Sequence, residues 1–111
     1  MAKNNQINRG DLMTEHDIQN SIRLELSKIG WITFRVNVGK VKMEDGRYFD
    51  TGLPVGFSDL IAFKDGQTIF IEVKKPGGKP SKNQLNFKKQ MENNGFKAII
   101  AYSFEDVKKM I

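Results

Sequence analysis

Three charged side chains accompany two neighbouring apolar segments of this 111-residue chain. Asp59 directly precedes the first segment, and Glu72 and Lys74 lie at the end of the second. A short turn around Gly66 is expected to fold the two segments back on each other. Because a buried charge without a partner is very costly, we expect the two carboxylates to hold a divalent cation with the lysine beside it. Such an arrangement is suited to metal-dependent hydrolysis of phosphodiesters.

The alternation of side chains in a strand determines which of these groups can act together. In a strand over residues 69–74, Glu72 and Lys74 point to the same face, about 7 Å apart along the strand. Asp59 can meet them across the hairpin. Mg²⁺ commonly binds one or two carboxylates together with water and substrate phosphate. Asp59 and Glu72 supply the carboxylates, the backbone carbonyl of Val73 is a candidate third ligand, and Lys74 could orient the attacking water or stabilise added negative charge on the phosphate.

A purely structural explanation of the same residues also exists. Asp59 could cap the end of a strand, while Glu72 and Lys74 form a solvated pair on an edge strand. A Glu-x-Lys tripeptide is common, and short motifs match by chance very often. The aspartate at hairpin distance, the apolar flanks and the basic, glycine-rich loop that follows favour the catalytic interpretation.

Two further polar residues allow both a structural and a functional role. Glu15 shares a helical stripe with Ile18 and Ile22. It is either a further metal ligand or a compensating charge for the helix dipole at the first helical position. Gln84 is the third residue of a helix capped by Ser81, where it would close a capping box. A helix N-terminus close after the catalytic strand is also suited to hold a phosphate or a water.

Periodicity and capping residues predict the elements that must position these groups. The predicted helices begin at the capping residues Thr14, Ser81 and Ser103. The predicted strands cover residues 31–38, 59–63, 68–73 and 96–102, with an exposed basic ribbon over residues 41–49. Because strand–helix–strand connections cross over, the strand after the second helix should run parallel to the strand before it. The prediction is an α/β domain, with a small mixed β-sheet flanked by helices in the order αβββαβ.

Composition limits the chain to one domain and few classes of protein. Residues 1–13 are expected to form a frayed lead-in and residues 14–111 a single domain. The chain has no cysteine, which excludes a disulfide framework and a thiolate zinc site. No apolar run approaches the ~18 residues of a membrane span, and the N-terminus lacks a signal-peptide core, so we expect a cytoplasmic protein with no membrane partner. The net charge of +5 suits a polyanion but does not identify one.

The order and spacing of these motifs resemble the virus-type replication-repair nuclease (VRR-NUC) family of the PD-(D/E)xK superfamily. The resemblance rests on Glu15, Arg35-Val36-Asn37-Val38-Gly39, Gly56-Phe57-Ser58-Asp59, Ile71-Glu72-Val73-Lys74, and Ser81-x-x-Gln84 with Phe87. It extends over residues 14–102. Ser58 replaces the proline of the superfamily's name, a replacement that is common in this family.

The resemblance implies a restriction-endonuclease-like core and Mg²⁺- or Mn²⁺-dependent cleavage of DNA. By that analogy, the metal is bound by Glu15, Asp59, Glu72 and the Val73 carbonyl. Lys74 is the catalytic lysine, and Gln84 supports the site. Small stand-alone members of the family look like phage or bacterial homodimers that cut branched DNA such as four-way (Holliday) junctions, and we expect the same of this chain.

Basic residues near the motifs are candidates for contacts with DNA phosphates. They are Arg35, Lys40, Lys42, Arg47, Lys75, Lys79 and Lys82. No helix carries Arg or Asn in an evident base-reading position, so we expect recognition of DNA structure, with an affinity that falls steeply with salt. Two other functions remain open: a non-catalytic nucleic-acid-binding module on the same fold, and a site-specific, restriction-like endonuclease. The intact Asp59, Glu72 and Lys74 argue against the first, and the absence of room for a target-reading insertion argues against the second.

Overall fold

A computed structural model describes residues 13–111, so that all but the last residue of the predicted lead-in lie outside the described part. Three helices and six strands follow one another in this part. In chain order they are α1 (Glu15–Lys28), β1 (Ile32–Arg35), β2 (Lys40–Lys42), β3 (Tyr48–Asp50), β4 (Leu60–Lys64), β5 (Gln67–Val73), α2 (Lys82–Asn93), β6 (Lys97–Ala101) and α3 (Phe104–Lys108).

Four strands form the central sheet, in the order β1-β4-β5-β6. The pairs β1–β4 and β4–β5 are antiparallel, and β6 runs parallel to β5. The predicted hairpin and the predicted parallel crossover through α2 are both confirmed. Strands β2 and β3, which lie between β1 and β4 in the sequence, form a separate antiparallel ribbon. When this ribbon and α3 are left aside, the remaining elements follow the predicted order αβββαβ.

The first strand is shorter than predicted. We expected residues 31–38, but β1 ends at Arg35. Its ladder partner β4 begins at Leu60, directly opposite Arg35, so the residues after Arg35 have no strand to pair with. Only the N–H of Val36 still bonds across, to the carbonyl of Asp59 at 2.8 Å. The chain then continues into the ribbon.

Helix α1 begins and ends where local signals place it. The Thr14 hydroxyl accepts a hydrogen bond from the Asp17 N–H at 3.1 Å, and the Asp17 carboxylate accepts one from the Thr14 N–H at 3.0 Å. This reciprocal pair is a capping box, which satisfies two N–H groups that the helix leaves unbonded. The buried side chains of Ile18, Ile22 and Leu26 recur every four residues and form the face that packs into the core.

The two faces of the central sheet carry different apolar clusters. On one face, Ile69, Ile71 and Val73 of β5 pack in the cluster that also contains the buried residues of α1 and α3. On the opposite face, Phe70 packs edge-on against Phe87 of α2, with ring centroids 5.5 Å apart. The alternation therefore points Glu72 and Lys74 to the α2 side, as predicted.

Gly56 allows the segment before β4 to pass against the start of α2. Its φ is +98°, and an added Cβ would lie 2.6 Å from the backbone oxygen of Asn83. No side chain fits at that distance, and an L-residue is also strained at this φ. The contact fixes the first turn of α2 relative to the segment that leads into Asp59.

Replacing Gly56 by alanine should therefore destabilise the domain more than the same change at Gly52. Gly52 has a similar φ of +81°, but nothing lies within 4 Å of an added Cβ. Both substitutions strain the backbone by about 1–2 kcal/mol. Only Gly56→Ala adds overlap with backbone atoms, which we expect to cost a further ~1–3 kcal/mol. Urea unfolding of the two variants measures the difference, and equal losses would contradict the close contact.

Candidate active site

Asp59 lies where the pairing of β4 and β5 stops. The last ladder pair on this side joins Leu60 to Ile71. Beyond this pair, the Asp59 carboxylate replaces the backbone acceptor of a ladder hydrogen bond. Its Oδ2 accepts a hydrogen bond from the Val73 N–H at 2.8 Å. Because N–H and C=O of one residue point to the same side of an extended strand, the Val73 carbonyl also faces the Asp59 side of β5.

Ser58 contributes to this geometry from inside the fold. It is 3% exposed, and its hydroxyl donates to the Leu60 carbonyl at 3.0 Å. This hydrogen bond links the residues before and after Asp59 and so fixes the backbone on both sides of it. Serine at this position is thus a fixed part of the turn into β4.

Glu72 is a buried carboxylate with one oxygen bonded and one oxygen free. The residue is 6% exposed. Its Oε2 accepts a hydrogen bond from the Gln84 side-chain amide at 2.7 Å, and Lys74 Nζ lies 3.9 Å from the same oxygen. Within residues 13–111, Glu72 Oε1 is buried and has no hydrogen-bond partner. An acceptor left in this state costs free energy, so Oε1 is available to a ligand.

Burial makes both carboxyl groups hard to ionise. Burial and, after it, the nearby Asp59 charge raise the pKa of Glu72 to about 8, with a smaller contribution from Glu15. Burial also raises the pKa of Asp59, against the opposing effect of the hydrogen bond from Val73. A divalent cation between the two groups would favour the ionised form of both. Paired carboxyls perturbed in this way are a feature of functional sites.

Glu15 lies at the first position of α1 and is half-buried. Its charge is close enough to raise the pKa of both Asp59 and Glu72. In the part of the chain from 13 to 111, however, no three His, Cys, Asp or Glu side chains are grouped closely enough to hold a metal ion. The structure pairs Asp59 with Glu72 and leaves Glu15 outside that pair, so its role as a ligand stays a prediction.

The groups present fit a hard divalent cation. Glu72 Oε1 is free and buried, and Asp59 directs only Oδ2 to a hydrogen bond with a described residue. Two carboxylates and one backbone carbonyl leave room for water and a substrate phosphate, which is the usual ligand set of Mg²⁺. The absence of histidine and cysteine from the pair disfavours zinc.

Gln84 forms the predicted capping box and also bonds to Glu72. Its Oε1 accepts from the Ser81 N–H at 2.7 Å, and its own backbone N–H donates to the Ser81 hydroxyl at 3.2 Å. The capping box is therefore present. The other end of the same amide donates to Glu72. One side chain thus connects the start of α2 to β5.

Lys74 lies on the same face of β5 as Glu72. Its side chain is 14% exposed, and its backbone N–H donates to the carbonyl of Ala101 at 2.9 Å. The ammonium group can reach a substrate group placed over the carboxylates. This position suits the predicted catalytic role without demonstrating it.

The ribbon is charge-balanced rather than basic. Between residues 40 and 50, its charges are those of Lys40, Lys42 and Arg47, against Glu44, Asp45 and Asp50. Arg47 forms an ion pair with Asp45 at 2.7 Å, and Lys40 stands opposite Asp50 in the ladder. At the end of β1, Arg35 donates to His16 Nδ1 at 3.0 Å. Arg35 and Arg47 thus already have partners within the chain.

The loop after β5 carries the remaining candidates on its surface. Lys75, Lys79 and Lys82 are all exposed. The hydroxyl of Tyr102 donates to the Gly78 carbonyl at 2.9 Å and anchors the loop beside β6. From residue 73 to residue 91 the chain has no acidic residue and six lysines: Lys74, Lys75, Lys79, Lys82, Lys88 and Lys89. The positive surface adjoining the carboxylates is therefore on this loop and on α2.

The fold and the paired carboxylates with a neighbouring lysine define a nuclease-type domain. The chain belongs to the VRR-NUC domain family, whose model matches residues 13–105. A solved structure described as a VRR_NUC domain has the same fold, with a TM-score of 0.63 and 23% identity over 86% of this chain and 91% of that chain. A comparison with curated proteins returned no significant match. The resemblance inferred from the motifs is confirmed, and DNA is the substrate that a nuclease domain implies.

Within residues 13–111, no helix is both long enough and apolar enough to cross a bilayer.

Removing the amide of Gln84 should cost more stability than removing the cap alone. Ser81→Ala deletes the capping hydroxyl and should lower the free energy of unfolding by about 1 kcal/mol. Gln84→Ala keeps the bond from the backbone N–H to Ser81, but it removes the acceptor of the Ser81 N–H and leaves a buried oxygen of Glu72 without its donor, which should cost about 1–3 kcal/mol more than Ser81→Ala. Urea unfolding of both variants in EDTA separates the two effects. Equal losses would show that the Gln84–Glu72 hydrogen bond contributes nothing.

Proposed function

We propose that this domain is a Mg²⁺- or Mn²⁺-dependent endonuclease that hydrolyses phosphodiester bonds in branched DNA, such as four-way junctions. The observation that carries the proposal is the free, buried oxygen of Glu72 beside the carboxylate of Asp59. A fold that buries such an oxygen without an internal partner is best explained by an external ligand of positive charge. Family membership makes DNA hydrolysis the chemistry to which that ligand would contribute.

Each residue of the site has a defined task in this proposal. Asp59, Glu72 and the Val73 carbonyl hold the cation, with Glu15 as a further proposed ligand. The chemistry that a bound divalent cation supplies is activation of a water and neutralisation of charge on the phosphate. Lys74 stabilises the charge that develops on the scissile group. Gln84 keeps Glu72 oriented by its hydrogen bond.

The preference for branched DNA and the homodimeric state form the finer part of the proposal. One site cuts one strand, whereas a two-fold dimer carries two sites and can cut two strands of a junction symmetrically. Between the core strands β1 and β4, the described chain inserts only the short ribbon of β2 and β3, which is small for a segment that reads a target sequence. These features favour recognition of DNA structure over a restriction-like function. A cytoplasmic location accords with this substrate and also remains a proposal.

Cleavage assays with labelled duplex, flap, splayed-arm and four-way-junction DNA test the proposal. We expect products from branched DNA with Mg²⁺ or Mn²⁺ and none with EDTA. Glu72→Gln keeps the shape of the side chain but removes its charge, so it should lower the rate by about 100-fold or more. Glu105→Gln, which changes an exposed carboxylate of α3, should cleave at the unaltered rate.

Three outcomes of these assays would count against the proposal in different ways. No metal-dependent product from any substrate would favour the non-catalytic binding module. Cutting of plain duplex at one fixed sequence would favour the restriction-like enzyme. Equal activity of Glu72→Gln and the unaltered protein would remove Glu72 from the mechanism.

A further inference from the structure

Four side-chain amides form a line along α2. Asn83, Asn86, Gln90 and Asn93 are spaced three, four and three residues apart, which places them on one side of the helix. All four are exposed, and they line a groove of about 380 Å³ whose other wall includes Pro54 and Val55. We call these four residues the amide face.

The amide face is not explained by contacts within the described chain. Among residues 13–111, none of the four side chains forms a hydrogen bond with another residue, in contrast to Asn94, which bonds to the Gln90 carbonyl. Asparagine is also a poor helix former, because its side chain competes with the backbone for hydrogen bonds. The helix therefore carries several unfavourable residues on one exposed side without an internal benefit.

The charges around the amide face indicate a polyanionic ligand. Lys82 and Lys89 flank it, both exposed and without an ion-pair partner within residues 13–111. The first acidic residue after Glu72 is Glu92, and Lys88 neutralises it at 2.6 Å. Lysines supply charge to phosphates, and side-chain amides supply neutral hydrogen bonds to phosphate and sugar oxygens.

The position of α2 connects this surface to the carboxylates. Gln84 donates to Glu72 from the first turn of α2, and Asn83, the first residue of the amide face, directly precedes Gln84 in that turn. From Asn83 to Asn93 the helix rises about 15 Å, which is close to the rise of four nucleotides along one strand at about 3.4 Å each. The same rigid helix could therefore orient Glu72 and hold the backbone on one side of the cleaved bond.

We propose that the amide face, with Lys82 and Lys89, binds the sugar–phosphate backbone of the substrate DNA over about four nucleotides next to the cleaved bond. This inference rests on the proposed function, since it assigns a binding surface for the same substrate. In this proposal, α2 positions the DNA backbone and does not read the bases. The sequence alone does not reveal this surface, because asparagines and glutamines scattered along a segment carry no charge signal.

Binding measurements can separate the amides from the lysines. The Glu72→Gln protein serves as the uncleaving parent, and fluorescence anisotropy follows its binding to labelled four-way-junction and duplex DNA over a series of NaCl concentrations. Adding Asn86→Ala and Gln90→Ala together should weaken binding about 10-fold at every salt concentration, without changing the slope of log K against log[NaCl]. Adding Lys89→Ala should weaken binding and reduce that slope by about one. Because alanine is the better helix former, weakened binding of the amide variant cannot be ascribed to unfolding.

Matched changes on other helices serve as controls. Asn20→Ala on α1 and Lys109→Ala after α3 alter exposed residues of the same types and should leave affinity unchanged. Binding of the amide variant equal to that of the parent would overturn the inference, as would an equal loss in the Asn20→Ala control. A change in oligomeric state with unaltered DNA affinity would also overturn it, by assigning the groove to a second copy of the chain. Cleavage by the unaltered protein is measured separately, so failure of the proposed function is distinguishable from failure of this inference.

Discussion

The hydrogen bond between the Asp59 carboxylate and the Val73 N–H is the constraint on which the site depends. It forms where β4 and β5 cease to pair, and it brings one carboxylate to the strand end that carries the other, Glu72. Leucine and isoleucine side chains of the same strands are buried on the opposite face, so the strands cannot shift to relieve the repulsion between the two carboxyls. The packing of the core thereby maintains a polar pair that would be unfavourable by itself.

Helix α2 completes this arrangement from the other side. Gln84 satisfies one oxygen of Glu72 while it closes the capping box, and Phe87, one turn later, packs on Phe70 of β5. Gly56 allows a second segment to approach the same turn. Three independent contacts therefore fix the start of α2 relative to the carboxylates. If α2 binds DNA as proposed, a helix held in this way would position the bound backbone relative to the carboxylates without a flexible connection.

Local signals in the sequence were sufficient for most of the fold. Thr14 and Ser81 predicted the helix starts because capping boxes act over three residues, and the period of two placed Glu72 and Lys74 on one face. Features that depend on distant segments were not predictable in the same way. The early end of β1 follows from where β4 begins, and the bond from Gln84 to Glu72 depends on how α2 docks against the sheet. The sequence made Arg47 a candidate for contacts with DNA phosphates, but its guanidinium forms an ion pair with the nearby Asp45 in the turn of the ribbon.

Asp59 and Glu72 are proposed to hold one hard cation between them. Anomalous scattering from crystals grown with Mn²⁺ tests this proposal. One peak is expected about 2.1 Å from Glu72 Oε1 and from an oxygen of Asp59, with the Val73 carbonyl as a further neighbour. A map with both carboxylates ordered and no peak between them would contradict it.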